Sequence, residues 1–130
     1  MLLRGDSGFV TPHLYKQCET NGTSYAIRLK ENKNLRALAS DIEDHLIEMT
    51  QKDKISYAAY GEFMYQAGSW DYPRRVVCKI EKPTDRLVHL FTFIVTNIDS
   101  SQEDIVRICP YKDEFYETLE NIRSLQLNLE

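Results

Sequence analysis

The stretch that most restricts this fold runs from Leu2 to Leu29. Leu2-Leu3-Arg4-Gly5-Asp6 is a short apolar run stopped by glycine, and it reads as the end of a strand entering a loop. Thr11-Pro12 is a helix start, with Thr11 as N-cap and Pro12 at the first helical position, where its missing N–H costs nothing. A helix over Pro12–Glu19 places Leu14, Tyr15 and Cys18 on one face. Asn21-Gly22 ends it, because both residues tolerate positive φ. Ser24–Leu29 then reads as a second strand. Strand, helix and strand in succession are the grammar of an α/β protein with parallel pairing.

The rest of the chain builds on that unit. Lys30-Glu31-Asn32-Lys33-Asn34 is a polar, mostly basic loop. From about Leu35 to Gln51 the residues Leu35, Leu38, Ile42, Leu46 and Met49 recur at three- and four-residue steps, which predicts one long amphipathic helix. Asp41, Glu43, Asp44 and Glu48 occupy its remaining surface. Tyr57–Gln66, Arg74–Glu81 and Leu87–Asn97 are aromatic, β-branched and apolar. Breaks at Ala67-Gly68-Ser69, Pro73 and Lys82-Pro83-Thr84-Asp85 separate them, which predicts about three antiparallel strands. The run Leu90–Val95 reads as well buried. From Ser101 the pattern is helical, broken near Pro110 and acidic at the end.

At 130 residues there is room for one domain and one modest core. That domain divides into a strand–helix–strand–helix part over 1–52, an antiparallel part over 53–98 and a helical end over 99–130. A net charge of -4 and a pI near 5.4 argue, taken alone, against a dedicated nucleic-acid binder, which carries a basic balance or stripe. No apolar run approaches the roughly 20 residues that span a bilayer, and the start is not a signal peptide, so no membrane partner is expected. Cys18, Cys78 and Cys109 are too widely spaced for a zinc pattern, and their odd number makes no disulfide framework. Reduced thiols in the cytoplasm are the simplest reading. His13, His45 and His89 have no CxxC or HxxxH companion, which argues against a metal site of His and Cys.

Several residues are candidates for chemistry. Asp6 follows the first strand directly and sits between Gly5 and Ser7-Gly8. The carboxyl end of a strand is where α/β sheets bind ligands, and a hard oxygen there suits Mg²⁺ or Mn²⁺. One carboxylate does not build such a site alone, and a turn Asp bonded to its own backbone fits the same pattern. Arg28, Lys30, Lys33 and Arg36 gather at and after the end of the second strand, on the same predicted edge as Asp6. They read as phosphate ligands or as a solvated loop. Trp70, with Tyr72, Arg74 and Arg75, reads as a base-stacking hairpin or as a hydrophobic plug with hairpin-end charges. Glu103, Asp104, Asp113, Glu114, Glu117 and Glu120 offer either a further metal ligand or a solvated helix face.

Longer blocks carry a resemblance that local physics does not. Leu3-Arg4-Gly5-Asp6-Ser7-Gly8-Phe9 and Tyr25-Ala26-Ile27-Arg28-Leu29-Lys30 are followed by Tyr60-Gly61-Glu62-Phe63 and Gln66-Ala67-Gly68-Ser69-Trp70. Pro73-Arg74-Arg75-Val76-Val77 and Phe93-Ile94-Val95-Thr96-Asn97 complete the series. In this order the blocks resemble the DDE transposases of bacterial insertion sequences, in the group with a β-rich insertion. The resemblance implies a partial RNase H-like core, mixed α and β, with an antiparallel β insertion. It implies metal-dependent DNA strand cleavage and transfer, with three acidic residues holding two ions, Mg²⁺ or Mn²⁺. It puts the second catalytic Asp on Asp6, as a metal ligand. It places Arg4, Arg28, Lys30, Lys33, Trp70, Arg74 and Arg75 near DNA of the transposon ends.

Departures from the family pattern set further expectations. The family's first catalytic Asp lies upstream of the Arg-Gly-Asp-Ser-Gly block, and only five residues precede Asp6 here. The Arg-Gly pair that announces the final catalytic Glu is missing after Val106-Arg107, and Glu117 is the nearest acid by spacing. The expectation is therefore an internal or truncated piece of a transposase catalytic domain, inactive alone. The alternatives are a non-enzymatic module that binds DNA, itself or full-length transposase, and a gene remnant with no selected role.

Overall fold

A computed structural model of the chain describes residues 2–6, 11–53, 57–82 and 88–108. Its first unit is the expected one. Strand β1 (Leu2–Asp6) and strand β2 (Ser24–Leu29) pair in parallel, from Leu2 beside Ser24 to Asp6 beside Arg28, with helix α1 (Pro12–Asn21) between them in sequence. Thr11 is extended and its Oγ1 accepts from the Leu14 amide at 3.3 Å, so the helix starts where Pro12 needs no amide partner. The helix runs two residues past Glu19. It stops at Gly22, whose φ of 70° is the left-handed conformation glycine takes without strain.

The basic loop leads into a helix pair rather than one long helix. Helix α2 (Lys33–Leu38) ends at Ala39, which leaves helical geometry at φ -89° and ψ 0°, and helix α3 (Ser40–Asp53) follows. The residues that face the core differ from the expected stripe at one position. Leu38, expected in the apolar stripe, is 46% exposed, while Ala39 is fully buried with Leu35 and Leu46. At 100° per residue Ala39, four residues after Leu35 and seven before Leu46, falls on their face, and Leu38 falls to its flank.

Three antiparallel strands complete the sheet: β3 (Tyr57–Tyr65), β4 (Arg74–Lys82) and β5 (Leu90–Thr96). β5 pairs antiparallel with β2 as well as with β4, so the order is β1-β2-β5-β4-β3. The aromatic, β-branched part of the chain is thus hydrogen-bonded into the same mixed sheet as the strand–helix–strand unit. Burial along β5 is uneven: Leu90 is exposed and Phe93 to Thr96 are buried. Helix α4 (Gln102–Ile108) is the fourth helix among the described residues.

The core lies mainly on one sheet face. Leu3, Tyr25, Ile27, Val76, Cys78, Ile80, Phe93 and Val95 meet Leu14, Tyr15, Cys18, Leu35 and Leu46 from the helices. Each fully buried large side chain of this set contributes about 1.5–3 kcal/mol relative to exposure. On the opposite face Ala26, Val77 and Ile94 are covered by Ile105 of α4. Among the described residues, no helix is long and apolar enough to cross a membrane.

Candidate nucleic-acid interface

Parallel pairing puts the carboxyl ends of β1 and β2 at one edge of the sheet. Asp6 ends β1 exposed, directly beside Arg28, and residues paired in register stand on the same sheet face. Arg4 shares that face two pairs earlier, and its Nη1 donates to the Ile108 carbonyl at 3.3 Å, at the end of α4. Beyond β2, Lys30 and Lys33 are exposed on the turn into α2. Asn32 fixes that turn: its Oδ1 accepts from the Leu35 amide at 2.9 Å, which places Lys33 in the first turn of the helix. Arg36 is otherwise engaged, 2.6 Å from Glu31 and 5.3 Å over the Phe91 ring. A hollow of about 260 Å³ opens at the same end of β2, with Pro12, Lys30, Asn32, Tyr65, Ser69 and Trp70 in its wall.

Trp70 and Arg74 are spent on packing. The Trp70 ring is 7% exposed and meets Tyr15 and Tyr65 edge-on, each with centroids 5.5 Å away. Little of the ring is left for a base to stack on. The Arg74 guanidinium lies 5.2 Å over Trp70 and 4.3 Å over Tyr72, and it grips Glu19 with two bonds of 2.8 and 3.0 Å. Burial alone would raise the Glu19 carboxyl. Hydrogen bonds from Arg74, Tyr72 and Tyr25 outweigh it and hold the group below the usual carboxylate range. These contacts fit a hydrophobic plug with hairpin-end charges, and a phosphate at Arg74 would compete with a carboxylate already in place.

Arg75 has a separate structural task on the other sheet face. It donates to both Glu62 carboxylate oxygens, at 2.9 and 3.1 Å, and to the carbonyls of Ile98 and Ser100, at 2.8 and 3.0 Å. Those bonds hold the connection from β5 to α4. Two further cations that sequence reading passed over, Lys79 and Arg107, line a groove of about 510 Å³ with Arg28, Tyr60 and Glu81. The signal was present in the alternation Val77, Lys79, Glu81 on β4, which turns every second side chain to the face shared by Arg28.

The two described cysteines are buried. Burial pushes the Cys18 thiol up to about 11 and the Cys78 thiol up to about 12, so both stay protonated at neutral pH. A pair of hard divalent cations needs several oxygen ligands converging on one point. Among the described residues, no three His, Cys, Asp or Glu side chains converge in that way. Asp6 contributes one carboxylate, and Glu103 and Asp104 lie in the first turn of α4, so the described donor set does not fit a metal pair. Asp113, Glu114, Glu117 and Glu120, like Ser7 and Gly8, lie outside the described residues.

No curated protein and no solved structure gives a significant match to the chain. A family model described as transposase DDE domain group 1 matches residues 1–109, which takes in all five strands and the whole Asp6 edge. A match over that span of a 130-residue chain, on a mixed sheet compatible with an α/β transposase fold, shows that the chain belongs to the transposase DDE domain group 1 family.

Proposed function

We propose that this chain presents the DNA-facing edge of a transposase catalytic domain with an RNase H-like core, and that Asp6 is its catalytic carboxylate. One observation carries the reading: within the family-matched segment, parallel pairing sets Asp6 beside Arg28, with Lys30 and Lys33 next along the edge. A carboxylate among cations at strand carboxyl ends suits a phosphodiester: the cations hold the backbone and the acid holds a metal ion. The family generally uses divalent metal ions. Asp6 is the described residue suited to ligate one. The remaining carboxylates of a metal pair would come from another chain. In this reading Arg4, Arg28, Lys30 and Lys33 contact DNA, while Trp70, Arg74 and Arg75 act indirectly, by fixing the hairpin and the β5–α4 connection.

The chain alone is therefore expected to bind DNA without cutting it. Incubation of the full chain with supercoiled plasmid and Mg²⁺ or Mn²⁺ should leave the plasmid intact. Nicking that disappears in Asp6→Asn would overturn the statement that one carboxylate is insufficient. Nicking unchanged by Asp6→Asn would remove Asp6 from its proposed role.

A further inference from the structure

The sheet has two end strands, and they differ. β1 is five residues long, and Arg4, Gly5 and Asp6 carry interactions of their own. β3 is nine residues long and pairs with β4 alone along Ala58–Tyr65 among the described residues. Natural sheets guard such an edge with lysines, proline, a bulge or a very short strand. β3 has none of these. Its one charge is Glu62, already held by Arg75 and Gln102. Ala58, Glu62 and Met64 are exposed on the sheet face away from the main core, and Ala59 is the one buried residue of the strand. Helix α3 packs across β3 and β4 on the core face, so it covers a face of the strand, and the rim has no partner strand among the described residues.

We infer that this rim pairs with the same rim of a second copy of the chain, antiparallel about a two-fold axis at Gly61. Self-complementarity selects both the occupant and the register. Centring on Gly61 overlaps Ala58–Met64, as long as any residue centre within Ala58–Tyr65 allows. It sets Ala59 against Phe63 of the second copy and Ala58 against its Met64, a small residue facing a large one each time. It also sets Glu62 against Tyr60 of the second copy, in the row that continues to the second copy's Lys79, which sits 5.7 Å over that tyrosine ring. Centring one residue later, on Glu62, would oppose two carboxylates directly, which is destabilising. The interface is isologous and closes as a dimer, joining two five-stranded sheets into one.

Sedimentation velocity of the full chain over a wide concentration range, without DNA, tests this. The wild type is expected to form a reversible dimer. Ala58→Lys with Met64→Lys puts lysines at exposed rim positions and should raise the dimer dissociation constant at least about tenfold, or about 1.4 kcal/mol. A far-ultraviolet circular dichroism spectrum matching the wild type's would show that the variant is folded. Hydrogen exchange should show amides of Ala58–Tyr65 gaining protection as concentration rises. A wild type that stays monomeric, a dimer indifferent to the double substitution, or protection that appears elsewhere would each overturn the inference. DNA binding takes no part in these measurements, so their outcome is independent of the proposed function.

Discussion

At the residue scale the firmest polar feature is the cluster around Glu19. A nearly buried Arg74 and a partly buried Glu19 are joined by two hydrogen bonds, with Tyr25 and Tyr72 adding two more to the same carboxylate. Removing one member of such a pair leaves the other charge poorly compensated. Arg74→Met is expected to cost about 3 kcal/mol of stability in denaturant titration, and Arg74→Met with Glu19→Gln less than that, because no lone charge remains. The pH dependence follows from the same bonds. Glu19 is held below its ordinary value in the folded chain, and Glu62 is held low by hydrogen bonds from Arg75 and Gln102. A depressed folded pKa gives stability that is present above the unfolded value, near pH 4.3, and is lost as pH falls through the folded value. Thermal midpoints should therefore hold from neutrality to about pH 5 and drop below pH 4. The drop should be shallower in Glu19→Gln. Sequence reading could not find this cluster, since Glu19 and Arg74 are 55 residues apart and only the packed helix and hairpin bring them together. Asp6 and Arg28, by contrast, were legible as neighbours, because two parallel strands joined by a helix must end at the same edge.

At the element scale, local signals located each strand to within a few residues, and long-range packing moved the helices. The Thr11-Pro12 start and the Gly22 stop are chemical signals carried by the backbone itself. The break at Ala39 carries no such signal: alanine favours helix, and no glycine or proline stands beside it. Crowding appears where α3 crosses β3. A Cβ added at Gly61 would fall inside the Ile42 side chain, so the helix lies closer to the strand there than any larger residue allows. Gly61→Ala is expected to destabilise the chain by about 1–3 kcal/mol, as overpacking does, and Ile42→Val should recover part of the loss. Chemical denaturation of the single and double variants measures both effects. A neutral Gly61→Ala would mean that α3 does not press on β3 at that point.

At the scale of the whole molecule, an acidic chain carries a basic edge. The net charge of -4 argued against DNA only as an average. The acids Asp41, Asp44 and Glu48 sit on α3, packed over β3 and β4, whereas Arg28, Lys30 and Lys33 follow the carboxyl end of β2 beside Asp6. Charge was read correctly in amount and became informative only once the sheet order gave it a position. The most direct test is DNA affinity measured across salt concentration for the full chain and for Arg28→Ala, Lys30→Ala and Lys33→Ala combined. If those cations hold phosphates, affinity falls with salt in the wild type, and the slope flattens by about 0.9 for each phosphate the variant no longer neutralises. Equal affinities and equal slopes for the two proteins would contradict the assignment of this edge to DNA.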